Sequence, residues 1–271
     1  MSEGELVTKS TKPVTRKSLA ADLRQGGLKP GSVVIVHTSL SSLGWVCGGP
    51  VALIDALQDV ITDKGTLIMP THSTDYSEPS HWQNPSVPEE WYQIIRQEMP
   101  AFRPEISPTR GMGMTAETFR KAPEVKRSDH PHYSFAAWGD KAEEIVEDHE
   151  LAAGMGENSP LAWIYELGGK ILLIGIGNEY NTSLHLAEHR AEIEKDTVNQ
   201  GAPVICGGEK IWKEFEELDY CDEDFIRIGR DFARKNPQSF EKFSMGEGKA
   251  RLYPQAKMVN YAVDWLEKNR E

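Results

Sequence analysis

The chain has 271 residues, a net charge of −12 and three cysteines, Cys47, Cys206 and Cys221. No apolar run reaches the roughly 18 residues of a membrane span. The acidic surplus argues against nucleic acid as main partner and suits a cationic ligand, though solubility alone also accounts for it. The cysteines are widely spaced and form no C-x-x-C pair, so neither a disulfide framework nor a cysteine zinc site is expected, and a reducing cytoplasm is.

Residues 1–16 are polar and read as a flexible leader rather than a secretory signal, with one domain over 17–271. Ser18 to Gln25 predicts a short helix stopped by Gly26-Gly27. Val33 to His37 is an apolar run of the kind buried on both faces of a sheet. After a Ser/Gly loop, Pro50 opens a periodic helix to Ile61, and Leu67 to Pro70 is a second short strand. This strand-helix-strand unit predicts an α/β sheet. The irregular stretch Thr71 to Val87 is long enough to suggest function. Pro88 to Met99 predicts a helix, Arg103 to Gly113 a loop, Tyr133 to Trp138 a strand, and Pro160 to Leu167 a helix. Ile171 to Ile176 is the clearest buried strand and leads to a helix around His185. A hairpin over Val204–Cys206 and Ile211–Glu217 and amphipathic helices over Asp222–Lys235 and Pro254–Lys268 complete the chain.

Three segments carry chemistry. The loop His37-Thr38-Ser39-Leu40-Ser41-Ser42-Leu43-Gly44, with Cys47-Gly48-Gly49, joins a strand end to a helix start. That is where open α/β sheets bind ligands, and its hydroxyls and N–H groups suit a phosphate if it is more than a Ser-rich turn. It is neither a Walker loop nor G-x-G-x-x-G. His37 either faces the ligand or caps the strand. In Thr109-Arg110-Gly111-Met112-Gly113 the glycines permit close backbone approach, and Arg110 either holds an anion or lies on the surface of a tight turn.

The third segment is His185-Leu186-Ala187-Glu188-His189. Residues 185, 188 and 189 share one helix face. The pattern H-x-x-E-H fits an inverted zinc metallopeptidase, with a third ligand from a carboxylate such as Glu241 or Glu267. It equally fits proton transfer: His185 lies in the first turn, where the helix dipole disfavours imidazolium, as a general base requires. His189 precedes Arg190 and is expected to face solvent.

Together these residues resemble the aminoglycoside 3-N-acetyltransferase family, particularly its Bacillus-type members. The resemblance is carried by 36–44 with Gly48-Gly49, by 66–70, by Asn84-Pro85 with Val87-Pro88, by 109–113, by Ser128-Asp129-His130-Pro131 with Ser134-Phe135, and by 185–188. It spans the chain from about Lys17 onward. It implies a central mixed β-sheet flanked by helices in three layers, distinct from the common acetyltransferase superfamily. It implies acetyl-coenzyme A as donor, the 3-amino group of a 2-deoxystreptamine antibiotic as acceptor, and no metal.

The resemblance places the catalytic base on His185 and His37 near the thioester; the carboxylate that orients His185 is Glu188, its neighbour on the helix, or Glu217 or Asp219 from the hairpin. It implies coenzyme contacts from His37, Thr38, Ser39, Leu40, Ser41, Ser42, Gly44, Gly48, Gly49, Arg110, Gly111, Met112 and Gly113. Asp75, Tyr76, Glu78, Glu217 and Asp219 would then meet the polycationic acceptor. A monomer or homodimer without nucleic-acid or membrane partners is expected. The rival readings are the zinc peptidase and a non-catalytic binder of coenzyme A or polyamines. Cys47 as a covalent relay lacks an identifiable base.

Overall fold

The computed structural model describes residues 3–270. In chain order the helices and strands are α1 (Glu3–Lys9), α2 (Arg16–Gln25), β1 (Val33–Thr38), α3 (Gly49–Ile61), β2 (Thr66–Pro70), α4 (Tyr92–Glu98), α5 (Gly113–Phe119), β3 (Lys126–Arg127), β4 (Phe135–Gly139) and α6 (Ala142–Glu147). They continue with α7 (Pro160–Glu166), β5 (Lys170–Ile174), α8 (Ser183–Arg190), β6 (Thr197–Cys206), β7 (Glu209–Leu218), α9 (Phe225–Lys235), β8 (Glu241–Met245), β9 (Gly248–Pro254) and α10 (Gln255–Asn269). Among the described residues no helix is long and apolar enough to cross a membrane.

Seven strands form one mixed sheet in the order β3-β4-β2-β1-β5-β9-β8. β1 runs parallel to β2 and β5 at the centre, with Val34 opposite Leu67 and His37 opposite Leu173; the flanking pairs are antiparallel. Successive side chains of a strand point to opposite faces. Val34, Val36, Leu67, Met69, Leu172 and Ile174 accordingly pack under α2, α3 and α5. Ile35, Ile68, Ile171 and Leu173 pack under α6 to α10. This is the three-layer arrangement expected, with a core on each face of the sheet. α3 follows Gly48, held at φ 88°, and starts at Gly49-Pro50; it buries Leu53, Ile54, Leu57, Val60 and Ile61. Each such side chain contributes about 1.5–3 kcal/mol.

Within the segment read as a leader, Met1 and Ser2 lie outside the described residues, and from Glu3 onward the chain contacts the turn after β1. Trp45 donates its indole N–H to Glu3 at 3.1 Å and its backbone N–H to the Ser10 hydroxyl at 2.7 Å. Val14 pairs with Val46. Other boundaries move for local reasons. Strand β4 starts at Phe135 because Nδ1 of His130 accepts the N–H groups of His132 and Tyr133, closing a turn there. α9 starts at Phe225, whose N–H bonds the Asp222 carbonyl. The expected hairpin is longer than its apolar residues suggested, with ten residues in each arm and Val204 opposite Ile211. Helices α5 and α6 and the edge pair β8-β9 were not expected.

Candidate active site

The three central parallel strands deliver their carboxyl ends to one cavity of about 800 Å³. From β1 come His37 and Thr38, with the turn Ser39–Ser41; from beyond β2, His72; from beyond β5, Ile176, Glu179 and Tyr180. The first turn is tight. Ser42 donates its hydroxyl to the Ser39 carbonyl at 2.7 Å, and the Ser39 N–H reaches the Ile174 carbonyl of β5 at 2.9 Å. Gly175 faces this turn at φ 68°, where a Cβ would lie 1.6 Å from the Ser42 hydroxyl. Only glycine fits there.

Of the residues expected to hold coenzyme, His37, Thr38, Ser39, Leu40, Ser41, Gly44, Gly49, Gly111, Met112 and Gly113 line the cavity. Ser42, Gly48 and Arg110 do not. Ser42 braces the turn and Gly48 supplies the left-handed residue before α3. Arg110 is turned away: its guanidinium pairs with Asp75 and bonds the Asn84 carbonyl at 2.5 Å. Its backbone N–H meets the His72 carbonyl at 2.8 Å, which brings Gly111–Gly113 to the cavity wall.

His37 is 8 % exposed, and its Nε2 is buried without a hydrogen-bond partner, as is the Thr38 hydroxyl. Burial pushes the His37 pKa down to about 3, so the ring is neutral. His72 is likewise pushed down to about 3, by burial first and then by the neighbouring His185 and His37. Neutral, unpartnered polar groups at a cavity wall are what a polar ligand atom would satisfy.

His185 is in the first turn of α8 and lines the same cavity. Its ring lies between Tyr220 and Phe225, with centroids 5.1 and 4.8 Å away. Nδ1 sits 2.6 Å from Oε2 of Glu188, whose side chain is only 4 % exposed. An ionised carboxylate only accepts, so Nδ1 carries the hydrogen, and in a neutral ring the lone pair is then on Nε2. The other carboxylate oxygen accepts from Arg270 at 2.5 Å and from the Cys221 N–H at 3.2 Å.

His189 does not face solvent as expected. It is half-buried, and its Nε2 meets the Tyr220 hydroxyl at 2.8 Å. The three side chains of H-x-x-E-H are thus engaged in internal hydrogen bonds that separate their roles. Among the described residues no group of three or more His, Cys, Asp or Glu side chains converges as a metal site would.

None of the five residues expected at the acceptor lines the cavity. Asp75 is held by Arg110. Tyr76 packs edge-on against Phe102. Glu78 is buried, bonded twice by Arg96 at 2.6 and 3.0 Å, and caps Ser80. Glu217 is buried 3.7 Å from His132, and burial raises its pKa. Asp219 is exposed, with its N–H on the Asp196 carbonyl. The acidic residues on the cavity wall are Glu3, Glu179 and Asp222. Glu179 and His72 follow the carboxyl ends of buried strands, so the rule used for the 37–44 loop would have found them. Asp222 was visible only as one acid among many.

A cleft at the switch of a parallel sheet, with a carboxylate-oriented imidazole on its wall, has the architecture of an enzyme using acid–base chemistry. Comparison with known proteins makes this specific. The family profile described as aminoglycoside 3-N-acetyltransferase matches residues 35–267. The SPbeta prophage-derived aminoglycoside N(3')-acetyltransferase-like protein YokD of Bacillus subtilis (strain 168) is 44 % identical over 266 residues, spanning 98 % of this chain and 97 % of that one. Its crystal structure superposes with a TM-score of 0.95 at 43 % identity, covering 98 % of each chain. AAC-IIIb in a binary complex with CoASH gives 0.84 at 32 % identity, covering 95 % of this chain and 97 % of that one. Sisomicin-bound AAC-VIa gives 0.87 at 30 % identity, covering 96 % and 100 %. The chain belongs to the aminoglycoside 3-N-acetyltransferase family, a family of acyltransferases.

Proposed function

We propose that this protein transfers an acetyl group from acetyl-coenzyme A directly to the 3-amino group of a 2-deoxystreptamine aminoglycoside, with His185 as general base. The observation that carries the reading is the 2.6 Å contact between His185 Nδ1 and buried Glu188, on the wall of the large cavity. The CoASH complex of AAC-IIIb and the sisomicin complex of AAC-VIa support the two substrate classes.

The residues fit the coenzyme. The orphaned His37 Nε2 and Thr38 hydroxyl await a polar partner, while Leu40, Val46, Met69 and Met112 offer an apolar wall to its arm. Acetyl-coenzyme A, when bound, supplies an activated acyl carbon. His185 Nε2 takes the proton that the acceptor amine loses as its nitrogen bonds the acyl carbon, and gives it to the coenzyme sulfur that leaves as the C–S bond breaks; Glu188 fixes the ring and balances the charge that it gains meanwhile. The neutral His37 ring and the Thr38 hydroxyl stabilise negative charge gathering on the acyl oxygen. Glu179 and Asp222 attract the cationic sugar. No covalent relay is needed: Cys47 is exposed and does not line the cavity.

The test is thiol release from acetyl-coenzyme A with a panel of 2-deoxystreptamine aminoglycosides, for wild type and His185→Ala. Turnover that falls about 100-fold or more in the variant, with coenzyme affinity near wild type, is expected. Absence of turnover with every antibiotic overturns the acceptor assignment; full activity of His185→Ala removes it as base.

A further inference from the structure

Arg270 follows α10 and lies beyond the residues matched by the family profile, yet its guanidinium ends at the His185–Glu188 pair. Nη1 donates to Glu188 Oε1 at 2.5 Å, Nη2 to the Cys221 carbonyl at 2.7 Å and Nε to Asp224 at 3.0 Å. One side chain therefore ties α8, the segment entering α9 and the end of α10 together. That segment includes Tyr220, which packs on His185, and Asp222, on the cavity wall.

The charge arrangement has a consequence for proton transfer. A lone buried carboxylate 2.6 Å from an imidazole favours the imidazolium, and an imidazolium is no base. A guanidinium on the opposite oxygen of the same carboxylate offsets that pull. The other titratable groups around the pair are His189 on α8, Tyr220, Cys221, Asp222 and Asp224 before α9, and His72 beyond β2. Among the described residues, Glu188 has Arg270 and His185 as its ion-pair partners. Its fixed cation is therefore Arg270.

We propose that Arg270 is a positioning residue for acetyl transfer: it holds Glu188 in line with His185 and offsets the carboxylate's charge, so that the imidazole meets the substrate as a neutral base. This rests on the reading of His185 as base. Arg270→Met removes the charge and the hydrogen bonds while keeping an unbranched chain; Arg270→Lys keeps the charge.

In the full-length protein, the pH dependence of kcat/KM by thiol release is the first readout. For Arg270→Met the acid limb moves to higher pH by about one unit or more. Activity is then about ten-fold or more below wild type near neutrality and recovers in alkali, while KM for acetyl-coenzyme A stays close to wild type. Arg270→Lys keeps the limb near its original position. A loss equal at every pH, or a Lys variant shifted as far as the Met variant, overturns the proposal. The second readout is the NMR titration of the His185 ring without substrates. It is expected to stay protonated to higher pH in Arg270→Met, and an unchanged titration overturns the proposal. That measurement needs no acceptor. Failure of the acetyl-transfer reading, seen in an inactive wild type or an active His185→Ala, is therefore distinguishable from failure of the Arg270 assignment.

Discussion

Tyr220 stands edge-on to His185, with ring centroids 5.1 Å apart and planes inclined at 68°. Its hydroxyl reaches past the ring to His189 Nε2 at 2.8 Å and accepts the Met155 N–H at 3.1 Å. Burial raises the phenol's pKa, so the hydroxyl stays protonated and shares a hydrogen bond with His189 Nε2 whose direction the ring's tautomer sets. His189 therefore supports the wall behind the proposed base. Tyr220→Phe keeps the ring packing but leaves His189 and the Met155 N–H unpaired. It should lower stability by about 1–3 kcal/mol in denaturant unfolding, with kcat near wild type. His189→Ala should behave likewise; a kcat loss matching that of His185→Ala would return His189 to the chemistry.

What was legible in the sequence follows the physics of burial. Strands β1 and β5 are buried on both faces and read as unbroken apolar runs. α3 and α10 show through their periodicity. The edge pair β8-β9 alternates Lys242, Lys249 and Arg251 with smaller or apolar residues and exposes much of its surface, so it reads as polar loop. α5 and α6 span seven and six residues, too few for a helical period to register. His37 and His185 were visible because each sits where a strand ends or a helix begins. Arg270 and Tyr220 were not: Arg270 reaches Glu188 across 82 residues, and no local pattern encodes that contact. The residues expected at the acceptor lie off the cavity wall for a related reason. Composition marks residues as acidic, but Asp75 and Glu78 were already neutralised by Arg110 and Arg96.

Two groups of carboxylates can therefore be separated by experiment. Asp222 is exposed on the cavity wall and Glu179 is half-buried there, its carboxylate also accepting the Gly177 N–H at 3.2 Å. Asp222→Asn and Glu179→Gln should each raise KM for a cationic acceptor about two- to five-fold, the worth of one partly solvated charge. The effect should shrink as salt is added. Asp75→Asn should leave KM unchanged, because Arg110 already takes up that charge. Steady-state kinetics at two ionic strengths decides; an Asp75 effect larger than that of Asp222 would move the acceptor to the outer loop.

Acid stability should be set by histidines far more than by surface carboxylates. Burial holds His37 and His72 at about 3, His149 at about 4 and His130 well below its ordinary 6.5. In the unfolded chain each imidazole takes a proton near pH 6.5. Between pH 6.5 and about 4 the unfolded state therefore binds more protons than the folded one, and stability falls as pH falls. Each histidine contributes up to about 1.4 kcal/mol per pH unit in that window. His72 and His149, being partly exposed, contribute less than the fully buried His130. The urea midpoint should be level between pH 7 and 8 and drop steadily from pH 6.5 to 5. His149→Gln should flatten that drop by part of one proton's worth, since it removes an imidazole that burial keeps neutral, a shift that the bond to the Gly154 carbonyl only partly opposes. A midpoint that holds steady down to pH 5 would mean that these imidazoles are solvated or paired in the folded protein, and would remove the neutral His37 from the proposed mechanism.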